Sequence, residues 1–277
     1  MFTAVAAPSA VFFASAFFVP ESPRWLMKTG KVETAREVLA RIGGALYAEK
    51  ALAQIRQSMG LETRVRLAEV LAPGVRRILG IGIALAVLQQ WSGINVIFNY
   101  AEEIYRGAGY GVSGVLFNIV ITGAINLAFT LAALGFVDRL GRRALMLAGC
   151  AGIALSHGLL GLAYRFGLKG LPVLVLTLCA IGCYAMSLAP VTWVLISEIF
   201  PNRVRGGAIS IAVSALWIAC FVLTFTFPAL NAALGPSGAF WLYAAICVAG
   251  YLFVQARVPE TKGRTLEQIE EDLGVGT

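Results

Sequence analysis

Long runs of apolar residues dominate this chain, and each is long enough to cross a lipid bilayer. About 20 helical residues span a hydrocarbon core of about 30 Å. Windows of that length predict seven transmembrane helices, at residues 2–20, 78–106, 113–136, 144–165, 171–199, 205–230 and 238–256. The pattern is typical of an all-α membrane protein and excludes an ordinary soluble domain.

One of these runs is interrupted near its middle by a polar stretch. Residues 89–95 read Gln-Gln-Trp-Ser-Gly-Ile-Asn, and none of them is charged. A buried amide without a hydrogen-bond partner costs about 2–7 kcal/mol, so polar groups at this depth usually face a bundle interior or a water-filled cavity. The stretch is therefore a candidate ligand site, and its neutrality argues against an ion or an organic anion as the ligand.

Gly93 decides whether the amides of this stretch can act together. On an unbroken helix, Gln90 and Asn95 would point about 140° apart, because successive residues turn by about 100°. A local irregularity at Gly93 would turn both side chains toward one cavity. Asn95 and Asn99 are four residues apart and share a helix face in any case.

A second polar pattern follows on the span 113–136. Asn118, Thr122, Asn126 and Thr130 recur every four residues, which predicts one inward-facing stripe. Such residues either contact a ligand or join helices through hydrogen bonds worth about 1 kcal/mol or less. We expect the helix-joining role for all of them except Asn126. A lone histidine in the next span, His157, is interpreted as a packing residue rather than a proton carrier.

The placement of the charges predicts the topology. The net charge of +7 would suit a nucleic-acid-binding protein, but 19 of the 22 Lys and Arg residues lie in the segment 21–77, the loops 138–143 and 200–205, and the tail from Arg257. By the positive-inside rule these segments are cytoplasmic. We therefore expect a multi-pass protein of the cell membrane with a cytoplasmic C-terminus and no nucleic-acid partner.

The segment between the first two spans is predicted to form two amphipathic helices, at about 31–42 and 46–58, because its apolar residues recur with helical spacing. We interpret them as a cytoplasmic helical cap. A membrane-surface helix is the alternative, which the short apolar stripe disfavours. Thr265 and Gln268 form a weak capping box that predicts a last helix to about Leu273.

Five motifs occur in order along the chain. They are PESPRWL at 20–26, QQWSGIN at 89–95, DRLGRR at 138–143, SEIFP at 197–201 and PETKGRTLE at 259–267. Together they resemble the sugar porter branch of the major facilitator superfamily, over essentially the whole chain. The resemblance implies a twelve-helix fold of two six-helix halves, with one sugar bound between them at the membrane midplane. Helices one to five of that fold are missing here.

The resemblance also implies a domain organisation. Seven spans with a cytoplasmic C-terminus place Met1 on the outer side, and a chain that starts on a span reads as the back part of a longer protein. A genuine seven-span protein is the alternative. The expected parts are the last transmembrane helix of the N-terminal half (1–20), a cytoplasmic helical linker (21–77), a C-terminal six-helix bundle (78–257) and a cytoplasmic C-terminal helix (258–277).

A neutral sugar fits the polar residues chemically. Its hydroxyls donate and accept hydrogen bonds, and Gln and Asn amides do both without charge. A site of this kind rejects an analogue that lacks a hydroxyl, because its own buried group is left unpaired. By resemblance, the sugar-contacting residues are Gln89, Gln90, Asn95, Asn126 and Trp193, with Trp217 as a further aromatic near the site.

Two details qualify that assignment. The flat ring of Trp193 suits the apolar face of a sugar. For Trp217 the alternative interpretation is that it fills a packing gap. Leu216 departs from the resemblance, because hexose and pentose carriers often place an Asn or Gln at this position. We expect one hydroxyl contact to be lost there.

The charged motifs predict a separate function at the cytoplasmic helix ends. An ion network there would hold the cytoplasmic side closed when the carrier faces outward. Its predicted members are Asp138, Arg139, Arg142, Arg143, Glu198, Arg203 and Arg205, and the resemblance adds Glu21 and Glu260. The alternative is that these residues only set the topology and cap helices, since surface ion pairs contribute about 0–1 kcal/mol each.

The sequence therefore predicts a sugar carrier that works by alternating access and is not an enzyme. It offers no nucleophile–base pair, metal cluster or nucleotide loop, so we expect no cofactor and no metal. The expected partners are a neutral monosaccharide, the lipid bilayer and the missing N-terminal helices. Proton symport and facilitated diffusion both stay open. A sugar sensor that binds without transport and a non-functional fragment are the alternatives.

Overall fold

The computed structural model describes residues 2–60, 67–201 and 204–264, and in these ranges the backbone is helical or forms short connections between helices. It divides into two compact units, Met1–Arg64 and Val65–Thr277. The helices of the first unit are α1 (Phe2–Ala16), α2 (Pro23–Lys28) and α3 (Val32–Gly60). Those of the second are α4 (Leu67–Val70), α5 (Pro73–Trp91), α6 (Ile94–Asn99), α7 (Ala101–Gly107), α8 (Val112–Leu140), α9 (Arg142–Arg165), α10 (Leu171–Met186), α11 (Leu188–Glu198) and α12 (Arg205–Arg257). The helix predicted after Thr265 lies outside the described residues.

The first helix is shorter than the span predicted at 2–20. The 15 residues of α1 extend about 22 Å at a rise of about 1.5 Å per residue, and the helix ends at Ala16. Pro20 explains the early end, because a proline has no amide hydrogen to donate and its ring clashes with the carbonyl four residues earlier, here that of Ala16. The predicted end at residue 20 was therefore wrong.

The two amphipathic helices predicted after α2 are confirmed. Gly44 has a left-handed backbone conformation (φ 82°) and divides α3 into the segments 32–43 and 45–60. The Arg36 guanidinium joins the two segments through Glu49 at 3.0 Å. Their apolar sides form a small separate core with α2, as amphipathic spacing requires.

The described residues of the second unit contain helices that are long and apolar enough to cross a bilayer. Five helical stretches are long and apolar enough to span it, at Pro73–Asn99, Val112–Leu140, Arg142–Arg165, Leu171–Glu198 and Arg205–Arg257. The last has 53 residues, which at about 1.5 Å each would far exceed the membrane. Gly235 is non-helical (φ 69°, ψ 170°) and Pro236 follows it, so α12 consists of α12a (205–234) and α12b (236–257).

The six spans predicted for this region correspond to six helical stretches with shifted boundaries, and their assignment to a transmembrane domain stays a prediction. The first span begins at Pro73 rather than at residue 78, because a proline at the first helical position is favourable. α9 packs against α12 and α10, and α5 packs against α12. Small residues allow close approach, since Ser187 lies directly against Gly149 and Leu88 against Gly250.

The loops of the second unit meet at two opposite ends. At one end the amide of Gly170 donates to the carbonyl of Ala108 at 2.8 Å, which joins the loops before α8 and before α10. At the other end the loop between α8 and α9 meets the segment after α12, where Lys262 Nζ donates to the carbonyl of Arg139 at 2.6 Å. The basic loop between α8 and α9 and the basic segment after α12 therefore share one end of the bundle.

Candidate functional site

The polar stretch 89–95 contains a true break in the helix. α5 ends at Trp91, Gly93 takes a left-handed conformation (φ 86°, ψ −8°), and α6 begins at Ile94. The amide of Val96 donates to Gly93 O at 3.2 Å, whereas in a continuous helix it would donate to Ser92 O. The irregularity predicted at Gly93 is confirmed.

The break brings three amides into one chain of hydrogen bonds, which we call the amide relay (Gln89, Gln90 and Asn95). Asn95 Nδ2 donates to Gln90 Oε1, and Gln90 Nε2 donates to Gln89 Oε1 at 3.2 Å. Gln89 Nε2 in turn donates to the carbonyls of Leu188 and Ala189 at 3.3 and 3.1 Å. Backbone carbonyls only accept hydrogen bonds, so Gln89 must donate to them through Nε2. This fixes which atom donates and which accepts at each step of the relay.

The relay is buried at one end and open at the other. Gln89 and Gln90 are only 3% and 7% exposed, whereas Asn95 is half-buried. Among the residues that the structure describes, Asn95 Oδ1 has no hydrogen-bond donor. A carbonyl oxygen has two lone pairs, so the open end of the relay can accept hydrogen bonds from a ligand.

A second helix break lies at the buried end of the relay. Ser187 has backbone angles of φ −129° and ψ −89° and separates α10 from α11. Two discontinuous helices therefore meet where Gln89 contacts the first residues of α11. In membrane transporters, interrupted helices at the repeat interface commonly form the substrate site.

The other sequence-predicted site residues are not hydrogen-bonded to the relay. Asn126 is half-buried on α8. Trp193, on α11, and Trp217, on α12a, are 44% and 63% exposed. Leu216 is only 1% exposed and lies in the apolar core, whereas Trp217 follows it about 100° further around the helix.

Bonds to backbone carbonyls brace the broken helix against α12a. Trp91 Nε1 donates to Ala219 O at 3.0 Å, and Tyr100 Oη donates to Thr224 O at 2.9 Å. Sequence reasoning missed both contacts, because a carbonyl acceptor carries no side-chain signal.

The polar stripe of α8 is only partly inward. Asn118 and Thr122 are buried, whereas Thr130 is half-buried like Asn126. Thr122 Oγ1 and Tyr105 Oη share a hydrogen bond of 2.6 Å, which joins α8 to α7. The helix-joining interpretation of Thr122 is confirmed.

A charged cluster occupies the end of the bundle where the basic loops meet. Arg142 Nη2 lies 3.1 Å from Glu198 Oε1 and 3.0 Å from Asp138 Oδ1. The second oxygen of Glu198 accepts a hydrogen bond of 2.6 Å from Thr261 Oγ1. The cluster therefore connects α8, α9, α11 and the segment after α12.

Glu260 caps the helix that carries Arg142. Its two carboxylate oxygens accept from the backbone amides of Arg142 and Arg143 at 2.9 and 3.2 Å. These amides lie at the N-terminus of α9, where the first turn has no helical acceptors and the helix dipole favours a negative charge. The alternative that these charges cap helices is confirmed for Glu260.

The remaining predicted cluster residues are less closely involved. Arg143 Nη2 donates to Gln255 O at 2.7 Å, and Arg205 Nε donates to Phe200 O at 3.2 Å. The backbone carbonyl of Arg139 accepts the hydrogen bond from Lys262 Nζ. Arg203 lies outside the described residues, and Glu21 belongs to the first unit. The gating function of the whole set stays a prediction.

Two carboxylates on one guanidinium allow a matched test of the cluster. The Glu198 side chain is 28% exposed and that of Asp138 is 78% exposed. We predict that Glu198→Gln lowers the free energy of unfolding by about 1–3 kcal/mol, because it removes a charged hydrogen-bond partner in a partly buried cluster. Asp138→Asn is the control, at about 0–1 kcal/mol. Thermal unfolding in detergent micelles measures both, and equal losses would show that Glu198 is an ordinary surface charge.

Comparison with known proteins gives a consistent result. The family model described as "Sugar (and other) transporter" matches residues 1–273. The chain is 40% identical over 278 residues to the D-xylose-proton symporter of Escherichia coli strain K12, covering 98% of this chain and 56% of the symporter. It is 38% identical to the arabinose-proton symporter of Bacillus subtilis strain 168, covering 95% of this chain and 57% of that protein.

Solved structures agree with the sequence relatives. The proton:xylose symporter XylE, a major facilitator superfamily protein bound to 6-bromo-6-deoxy-D-glucose, superposes with a TM-score of 0.77 at 37% identity, over 98% of this chain and 58% of that chain. An inward open conformation of XylE from E. coli gives a TM-score of 0.77 at 36% identity, over 96% and 54% of the two chains. The chain thus spans about half the length of the relatives it matches.

Proposed function

Because this chain belongs to the sugar transporter family of the major facilitator superfamily, we propose that it forms the C-terminal half of a carrier that moves a neutral sugar across the membrane by alternating access. Its relatives are transporters, and it is accordingly not an enzyme. The positive-inside rule supports a cytoplasmic C-terminus.

The amide relay is the observation that carries this proposal. It presents neutral donors and acceptors at a helix break inside a membrane bundle, with an unpaired acceptor at Asn95 Oδ1. Sugar hydroxyls are both donors and acceptors, so they pair with amides without a charge. The named cargoes of four relatives are xylose, arabinose, myo-inositol and glucose, all of which are neutral rings rich in hydroxyls.

Aromatic and polar side chains around the relay complete one wall of the proposed site. Trp193 lies four residues after Ala189, whose carbonyl anchors Gln89, and its exposed ring suits the apolar face of a sugar. Trp217 lies on the open face of α12a, and Asn126 would add a hydroxyl partner from α8. Leu216 lies in the apolar core, and as a leucine it offers no hydrogen bond to a sugar hydroxyl.

The opposite wall of the proposed site comes from the rest of the carrier. The open end of the relay and the exposed tryptophans leave a polar and aromatic surface within the membrane, which lipid tails cannot satisfy. A second six-helix half would cover it and enclose the sugar. Alternating access then consists of the two halves rocking around the site.

The charged cluster supplies the proposed cytoplasmic gate. Arg142, Glu198 and Thr261 link three chain segments at the same end of the bundle, and Glu260 locks the segment after α12 onto the start of α9. A gate needs an energy difference of only a few kcal/mol between its two states. Several charged hydrogen bonds of about 1.5–3 kcal/mol each are sufficient.

Proton coupling would require a carboxylate from the other half. In the five helical stretches that could span the membrane, the acidic residues are Asp138 and Glu198. Both belong to the charged cluster at the helix ends, so the midplane of this half offers no carboxylate.

Sugar uptake into proteoliposomes tests the proposal. We predict that vesicles containing only these 277 residues take up no radiolabelled sugar, because half of the cavity is missing, whereas vesicles containing the complete carrier do. Empty vesicles give the leak rate. Uptake by the 277-residue chain alone would contradict the half-carrier proposal, and saturable sugar binding by the complete protein without uptake would identify a sensor instead.

A further inference from the structure

We propose that His157 is a positioning residue that holds the helix break at Gly93 and thereby keeps Asn95 on the amide relay. The inference rests on the proposed sugar site, but it concerns a residue on α9 that lies behind that site and does not contact the sugar. Its action is through one backbone carbonyl, that of Ser92.

The break leaves the Ser92 carbonyl without its helical donor. Val96 N, which would serve it in a continuous helix, donates to Gly93 O instead. His157 Nε2 lies 2.9 Å from Ser92 O, and Cys247 Sγ lies 3.6 Å from the same oxygen. Two side chains from α9 and α12b thus replace the lost backbone bond at a fully buried position.

The histidine ring is fixed in place by its surroundings. His157 is completely buried, and its ring centroid lies 5.6 Å from that of Phe240 and 6.3 Å from that of Tyr243. Because a carbonyl only accepts, Nε2 must carry the ring hydrogen. The neutral imidazole is therefore a donor aimed at the one backbone acceptor that the break exposes.

The histidine and the glycine form a matched pair. A Cβ atom on Gly93 would lie 3.0 Å from His157 Nε2 and 2.7 Å from Tyr243 Cγ. The ring therefore lies where any side chain larger than that of glycine at position 93 would clash. The left-handed backbone of Gly93 also brings the Ser92 carbonyl within hydrogen-bonding distance of the ring. Asn95 follows two residues after Gly93, so its position depends on this contact.

Two other roles for His157, packing and proton transfer, would require different contacts of its ring nitrogens. A pure packing role needs only the ring volume and is insensitive to the loss of the Nε2 hydrogen. A proton carrier needs a second polar group on the other nitrogen, and Nδ1 has no hydrogen-bond partner within the described residues. The contact with Ser92 O is the feature that only the positioning role explains.

The tautomer of His157 can be measured without any variant. It is the only histidine of the 277 residues, so nitrogen NMR of the histidine-labelled chain gives one imidazole. We predict a hydrogen on Nε2 and a bare Nδ1. A hydrogen on Nδ1 alone would overturn the proposal, because Ser92 O would then have no imidazole donor.

Sugar binding by variants of the complete carrier tests the positioning role itself. We predict that His157→Leu weakens sugar affinity about tenfold, the loss of roughly one hydrogen bond, while His157→Gln, which keeps a donor, restores most of it. Ser156→Ala is the control, because Ser156 Oγ bonds only to Gly152 O within its own helix. In an Asn95→Ala background, His157→Leu should change affinity less than twofold, because residues that act through one another are not additive.

The outcomes separate the two proposals. If Gln90→Ala and Asn95→Ala leave sugar affinity unchanged, the proposed sugar site is wrong. If those variants weaken binding but His157→Leu does not, or if His157→Leu adds its full tenfold effect to Asn95→Ala, the sugar site stands and the positioning role of His157 is wrong. The tautomer measurement still tests the contact if His157→Leu does not fold.

Discussion

Replacing Gly93 with alanine is expected to destabilise the bundle and to abolish sugar binding by the complete carrier. Gly93 has a φ of 86°, and a left-handed conformation costs an L-residue about 1–2 kcal/mol. The new methyl group would also lie 2.7 Å from Tyr243 Cγ, and overpacking of a core adds about 1–3 kcal/mol. Any relief of this strain straightens the helix, which separates Asn95 from Gln90.

The helix before the break offers a matched control for this substitution. Gly80 lies on α5, and a Cβ there would meet nothing within 4 Å. Gly80→Ala should leave sugar affinity unchanged and raise helix stability by up to about 1 kcal/mol. Thermal unfolding and equilibrium sugar binding measure both effects. A Gly93→Ala carrier with normal affinity would show that the break is not required for the site.

Replacing Gln90 with alanine is expected to weaken sugar binding about 30-fold, which corresponds to about 2 kcal/mol. Gln90 is the middle member of the amide relay, accepting from Asn95 and donating to Gln89 at 3.2 Å. Its loss leaves a donor on Asn95 and an acceptor on Gln89 unpaired. Asn95 then loses its fixed orientation, whereas Gln89 is still held by the carbonyls of Leu188 and Ala189.

Gln255→Ala serves as the control for Gln90→Ala. Gln255 is exposed near the end of α12b, and it accepts a hydrogen bond from Arg143 through its backbone carbonyl, so the loss of its side-chain amide should not change sugar affinity. Binding is measured at equilibrium on carriers with equal expression and equal thermal stability. Unchanged sugar affinity of the Gln90→Ala carrier would remove Gln90 from the site.

The sequence indicated the relay because its members lie close together along the chain. Gln89, Gln90 and Asn95 fall within seven residues, and the angle between the last two requires a break that only Gly93 could provide. The pattern therefore predicted both the polar site and its irregular backbone. The same reasoning predicted the six spans of the second unit, since each depends on local hydropathy.

The contacts that sequence reasoning missed join residues far apart in the chain. His157 bonds to the carbonyl of Ser92, 65 residues away, and every residue type has such a carbonyl. Leu216 was predicted to cost a hydroxyl contact, and this stays a prediction; the sequence did not indicate that the rotation of α12a would place the residue in the core. Helix rotation depends on the packing of all neighbours, which a single polar position does not reveal.

The charged cluster was predicted as a group but not in its detailed arrangement. Positive loop charge indicated which residues share one end of the bundle. It did not indicate that Glu260 would cap α9 while Glu198 would take the Arg142 side chain. That choice depends on where the segment after α12 crosses the helix end, which the Thr261 bond to Glu198 fixes.

Sugar analogues that each lack one hydroxyl test the central claim, that the amide relay binds sugar directly. We would measure the affinity of the complete carrier and of its Gln90→Ala variant for a transported sugar and each of its monodeoxy analogues. We predict that one analogue binds the unaltered carrier about 10–100-fold more weakly than the parent sugar, because an amide is left unpaired, and that this difference largely disappears in Gln90→Ala. Equal losses in both carriers for every analogue would contradict direct binding by the relay.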